Sequence, residues 1–132
     1  MNNKYENLRI KLVGRVEYHE LLKLHEKAWA LVFPSIWEEP LPYAVVEVMA
    51  LGTIPIASRV GGVTELLNDI IAQQFMVSPS SINDLVKKIS TMLSLNTDEL
   101  KVLGFKLRSE ILRKLDLDKI ERRIIEVFEE GY

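Results

Sequence analysis

Two glutamates, Glu39 and Glu47, are the residues whose type and spacing could do chemistry. Glu39 lies in a proline-punctuated stretch, Pro34-Ser35-Ile36-Trp37-Glu38-Glu39-Pro40-Leu41-Pro42. Glu47 interrupts the apolar run that follows it, where a carboxylate is costly unless something satisfies it. Leu41 or Pro42 to Leu51 reads as a helix, with proline tolerated in the first turn and Gly52 as its stop. If both acids lay on one helix, the eight-residue step at 1.5 Å per residue would part their Cα atoms by roughly 12 Å. A retaining glycosidase holds its two carboxyl groups only about 5–5.5 Å apart, so a hydrolytic pair is disfavoured. The wider spacing suits two hydroxyl-binding acids at opposite ends of one long ligand. Between them stands a helix N-terminus, whose free N–H groups and partial positive charge suit phosphate. Carboxylate, anion site, carboxylate is the order of sugar, diphosphate and ribose in a nucleotide-sugar. Spacing alone leaves open a structural role for Glu47 at the helix rim and a plain solvated role for Glu38 and Glu39.

The elements that must position this stretch alternate along the chain. Leu8–Val13, ending in Gly14, alternates apolar and polar residues and reads as a strand. Glu17–Ala28 reads as a helix with Leu21, Leu24 and Ala28 inward. Ala30–Phe33 is a short apolar run with the look of a strand buried on both faces. After the central helix, Thr53–Ser58 is a further strand despite Pro55, Gly61-Gly62 turns into a short helix over Thr64–Leu67, and Phe75–Val77 is a brief fourth strand. Ser81 with Asp84 forms a capping pair that opens a helix with Leu85, Ile89 and Met92 inward. From Asn96 the chain reads as helical to its end, in two pieces broken near Gly104 or Asp116, with Ile120, Ile124, Val127 and Phe128 as a buried stripe.

Strands alternating with helices imply an α/β fold, a Rossmann-like parallel sheet of about four strands with helices on both faces and a helical C-terminus. Right-handed crossovers put the strand-to-helix loops on one sheet edge, so Gly14-Arg15-Val16, the 34–43 loop and the Ser58–Gly62 turn are expected to converge there.

Composition narrows the classes. With 132 residues, 48% apolar and 27% charged, the chain suits one soluble domain over residues 1–132. A net charge of −2 argues against nucleic acid as partner. Without cysteine and with only His19 and His25, no thiolate or histidine-based metal site is expected. No apolar run is long enough for a transmembrane segment and the start is not a signal peptide, which suits a cytoplasmic location and leaves peripheral membrane contact open.

Pro34-Ser35-x-x-Glu38-Glu39-Pro40-Leu41, Glu47-Val48-Met49-Ala50-x-Gly52-x-x-Pro55 and Gly61-Gly62-x-x-Glu65 together resemble the C-terminal domain of GT-B retaining glycosyltransferases of family four, group 1. The likeness runs from about Leu8 through the terminal helices, and two glutamates separated by seven residues are its hallmark. It implies that Glu39 approaches the donor sugar as the catalytic-site acid and that Glu47 binds the ribose hydroxyls. It implies donor contacts from the backbone around Leu41, Pro42, Tyr43 and Ala44 to the diphosphate, and from the Gly14-Arg15-Val16 turn to the base. That turn reads equally well as a plain strand end. Gly61, Gly62 and Glu65 resemble a second glycine turn that shapes the loop, and Trp37 reads as a packing residue.

The expected donor is a nucleotide diphosphate sugar, with no metal and no further cofactor. Pro40 and Pro42 stand where family members commonly have glycine, and Pro42 removes one N–H from the expected phosphate site. The family's N-terminal acceptor domain, and the strand and loop carrying its phosphate-binding Arg and Lys, have no counterpart before Leu8. The expectation is therefore a donor-binding domain incomplete for catalysis by itself, which needs an acceptor domain or a separate chain. Loss of the first two strands would leave Leu8–Val13 parted from Ala30–Phe33. The strands then close up, or two copies pair as a homodimer through the exposed sheet edge. The rival is a non-catalytic Rossmann-like interaction or nucleotide-binding module; a flavodoxin-like binder fits the alternation but not the glutamate spacing.

Overall fold

In the computed structural model, residues 9–130 are described. The chain runs α1 (Tyr18–Lys27), β1 (Ala30–Phe33), α2 (Tyr43–Ala50), β2 (Ile54–Ser58), α3 (Gly61–Leu67), a 3-10 turn (Ile71–Phe75), β3 (Met76–Val77), α4 (Ile82–Leu93), α5 (Thr97–Lys114) and α6 (Leu117–Glu130). The strands form one parallel sheet of order β1-β2-β3, with Ala30 beside Ile54 and Ala57 beside Met76. The α/β class and parallel sheet follow from the alternation; among the described residues the strands number three, not four.

The missing strand is the expected Leu8–Val13. Leu8 lies outside the described residues, and residues 9–13 form no strand and are exposed. Alternating polarity makes a strand only if a neighbour offers a ladder, and among the described residues no strand lies on that side of β1. The alternative in which the strands close up directly is therefore not realised over residues 9–13. Among the described residues β1 is an edge strand, and it is not buried on both faces as expected: Ala30, Leu31 and Phe33 are half-buried and Val32 is exposed.

β2, the central strand, is buried along its whole length. Pro55 is tolerated there for a geometric reason. Ile54 donates its N–H to the Trp29 carbonyl on the β1 side, so the next residue faces the other way. On that side β3 pairs only with Ala57 and Ser58, so no ladder bond is lost at Pro55.

The core gathers Val45 and Met49 from α2, Ile54 and Ile56 from β2, Val63 and Leu67 from α3, Phe75, and Leu103, Leu107 and Ile111 from α5. Full burial of side chains of this size contributes about 1.5–3 kcal/mol each. Helix ends follow local chemistry. Gly52, at φ 84°, closes α2: its N–H meets the Met49 carbonyl and that of Thr53 meets Val48, the paired bonds of a left-handed glycine cap. Asn96 caps α5 in a reciprocal box with Glu99, which the sequence analysis did not single out. Ser81 caps α4 by accepting from the Asp84 N–H, whereas the Asp84 carboxylate turns to the Ser78 N–H at 2.7 Å instead of closing a box.

Two expectations about helix faces need correcting, and of the two breaks expected in the terminal helices the one near Asp116 is observed. In α1 the buried position is His25, and Leu24 is exposed. α5 runs through Gly104 without a break, and the two terminal helices part near Asp116. Ile120, Ile124, Val127 and Phe128 are not buried: α6 has no extensive packing against the other described elements, so its apolar face is open. The periodicity gave the correct face but could not supply an element to cover it.

Candidate functional site

β1 delivers the chain to Pro34 at the carboxyl edge of the sheet, where Ser35 organises the loop. Its hydroxyl accepts from the Trp37 N–H at 3.2 Å and lies 3.2 Å from Glu39 Oε1, to which it donates. A serine bonding the backbone two residues on is a local turn signal, and it identifies Ser35 as a holder of Glu39 that the sequence analysis missed. From the other side comes the start of α3. The Gly62 N–H donates to the Glu39 carbonyl at 2.6 Å. A Cβ on Gly61 would fall 2.7 Å from that oxygen and 2.9 Å from Glu38 Oε2, and one on Gly62 would collide with the Pro40 carbonyl. The paired glycines thus let α3 press against the acid loop, the loop-shaping role expected of them. Glu39 is partly buried between these holders, and Glu38 is exposed. Trp37 is 76% exposed, so it does not pack as expected.

Pro42 is the residue that caps α2, and it is buried. Its carbonyl accepts from Val45 and Val46 at 2.9 and 3.2 Å, and its missing N–H lies outside the helix proper. The Tyr43 N–H is engaged by the Leu41 carbonyl at 3.0 Å. The N–H groups of Leu41 and Ala44 have no acceptor among the described residues. No acidic side chain occupies the first turn, so the positive end of the helix is left unneutralised there.

Glu47 follows on α2, partly buried. The Tyr18 hydroxyl, on the first residue of α1, donates to Glu47 Oε1 at 2.7 Å. This bond, with lesser effects of burial and of the Glu47 charge, pushes the Tyr18 phenol above its ordinary range. No sequence signal joins two residues 29 positions apart, and Tyr18 was missed. The bond also puts the start of α1 beside α2. Gly14, at φ 70°, with Arg15 and Val16, immediately precedes that start; Gly14 and Arg15 are exposed and Val16 half-buried. Of the three segments expected to converge, the 34–43 loop and the Ser58–Gly62 turn meet through the Gly62–Glu39 hydrogen bond, whereas the Gly14–Val16 turn makes no hydrogen bond to either among the described residues. Among the described residues no group of three or more His, Asp or Glu side chains could hold a metal ion.

Solved structures share this fold. HepE from Anabaena, in complex with UDP and glucose, superposes with a TM-score of 0.75 at 21% identity, over 94% of this chain and 33% of its own. Sucrose-phosphate synthase from Thermosynechococcus elongatus does so with a TM-score of 0.74 at 26% identity, over 92% of this chain and 30% of its own. The chain thus spans about a third of the length of these glycosyltransferases, which carry the GT-B fold. No curated protein matches it closely enough to count as a relative. Among the described residues no helix is long and apolar enough to cross a membrane. The family model described as glycosyl transferases group 1 matches residues 3–108, most of the sequence, and the chain belongs to that family.

Proposed function

We propose that this chain forms the donor-binding part of a retaining glycosyltransferase, gripping a nucleotide diphosphate sugar along α2. The observation that carries the reading is the placement of Glu39 and Glu47 on either side of an α2 N-terminus without a side-chain cap, where the Leu41 and Ala44 N–H groups have no acceptor among the described residues. Glu39, held by Ser35 and Gly62, meets the sugar; the Leu41 and Ala44 N–H groups meet the diphosphate; Glu47 meets the ribose diol, and the Gly14–Val16 turn meets the base. Each charge-assisted hydrogen bond of this kind contributes about 1.5–3 kcal/mol. The complex of HepE with UDP and glucose supports a donor of that class. Transfer to an acceptor then requires a further domain or chain, in line with the fraction of HepE that this chain spans. The open side of β1 is where further strands, or a second copy of the chain, would add.

Calorimetric titration with uridine, guanosine and adenosine diphosphate sugars tests the reading. One of them binds, and Glu47→Ala weakens it tenfold or more. Absence of binding by the whole panel would favour the interaction-module reading instead.

A further inference from the structure

The Tyr18 hydroxyl spends its one proton on Glu47 Oε1, at 2.7 Å, although the ring itself is 60% exposed. An exposed tyrosine has water available as acceptor, so nothing in its burial compels it toward this carboxylate. The effect of the bond falls on Glu47. A glutamate on a helix surface samples several rotamers, and a ligand that needs it in one of them bears the entropy of fixing it. With Oε1 held from α1, the range of carboxylate orientations is narrowed before a ligand arrives, and Oε2 accepts no hydrogen bond among the described residues. An oxygen of a carboxylate accepts more than one hydrogen bond, so Oε1 can receive a second donor while Tyr18 stays in place.

We infer that Tyr18 is a positioning residue of the donor site: it presents the Glu47 carboxylate in the orientation that accepts both hydroxyls of a ribose, and thereby sets the preference for ribonucleotides over deoxyribonucleotides. This rests on the donor-site reading above. The placement of Tyr18 is compatible with the role in two further respects. It opens α1 directly after the Gly14–Val16 turn and Glu17, so its hydroxyl ties the segment that follows that turn to Glu47. The phenol keeps its proton for the carboxylate, since the hydrogen bond to Glu47 raises its pKa above the ordinary tyrosine value.

The test uses the full chain, titrated calorimetrically with uridine diphosphate and 2′-deoxyuridine diphosphate and with the guanosine and adenosine pairs. The variants are Tyr18→Phe, which removes only the hydroxyl, Glu47→Ala and the double substitution. The unaltered chain prefers the ribonucleotide by about tenfold or more, the effect of one hydrogen bond to a charged group. Tyr18→Phe lowers ribonucleotide affinity by about three- to tenfold, changes deoxynucleotide affinity much less, and so reduces the ratio. In the Glu47→Ala background it has no further effect, because the two residues act through one interaction. An unchanged ratio in Tyr18→Phe, with Glu47→Ala still damaging, overturns this inference and leaves the donor site standing. If the unaltered chain binds none of the nucleotides, the donor reading falls and this inference with it. A role of Tyr18 in stability alone would lower the melting midpoint and leave the ratio where it was.

Discussion

Gly62 donates its N–H to the carbonyl of Glu39 at 2.6 Å, at a position where a Cβ would stand 2.8 Å from that same oxygen. The hydrogen bond and the missing side chain are two aspects of one requirement: α3 must approach the acid loop more closely than any other residue allows. Gly62→Ala therefore pushes the Glu39–Pro40 segment outward. The expected result is a loss of about 1–3 kcal/mol in urea denaturation from overpacking. Donor affinity, measured by calorimetry, is expected to fall further than Glu65→Ala lowers it, since the Glu65 side chain is exposed.

Gly104 sets two magnitudes against each other. In a helix interior, Gly→Ala gains about 0.8–1.0 kcal/mol in propensity. Yet a Cβ on Gly104 would collide with the Gly52 carbonyl, and that carbonyl belongs to the left-handed residue ending α2, with little freedom to move. The collision wins. Gly104→Ala is expected to lower stability by about 1–3 kcal/mol, measured by thermal or urea unfolding. A more stable protein would show that α2 and α5 can separate there at little cost.

Acid should loosen α4 before the rest of the core. The Ser78 N–H bonded to the Asp84 carboxylate, opposed by burial and helped to a lesser degree by the Ser78 side chain, Lys88 and Lys87, holds that carboxyl below its ordinary range. The folded pKa is the depressed one, so the stabilisation is present above the ordinary aspartate value. It is lost as pH falls through the folded value. Amide exchange at Ser78 and in the first turn of α4 is expected to rise selectively over that acid window. Asp84→Asn removes the pH dependence.

The open edge of β1 and the bare face of α6 predict self-association of the isolated chain. Val32 is exposed on the edge, and Ile120, Ile124, Val127 and Phe128 are exposed on the helix. Sedimentation equilibrium at rising concentration is expected to show dimers or larger species, and Val32→Lys together with Ile124→Lys to reduce them. A single monomeric species at high concentration in the unaltered chain would contradict this.

Much of the site was legible because its signals are local. Proline and glycine punctuation located the acid loop, α2 and its end at Gly52 within a residue or two, whereas Gly61-Gly62, expected as a turn before a helix over Thr64–Leu67, is itself the first turn of α3 that packs on Glu39. Burial was less legible. Residues 9–13 and the α6 stripe carry the right periodicity, but a pattern does not show whether a neighbour is there to pair with or pack against. Long-range partnerships were not legible at all. Nothing in a tyrosine at 18 announces a glutamate at 47, and nothing in Lys114 announces the carbonyls of Glu65 and Asn68 that it caps.

At its far end α1 is fastened a second time. The buried Thr53 hydroxyl donates to the carbonyl of His25 at 2.7 Å, with the Ala28 carbonyl within 3.2 Å. Thr53 is the third residue after α2, so the ten-residue α1, about 15 Å long, is bolted at both tips to one short stretch of chain. A rod fixed at two points can neither swivel about its axis nor slide along its neighbour. A hydroxyl sealed inside the protein thus governs how steadily Tyr18 meets Glu47.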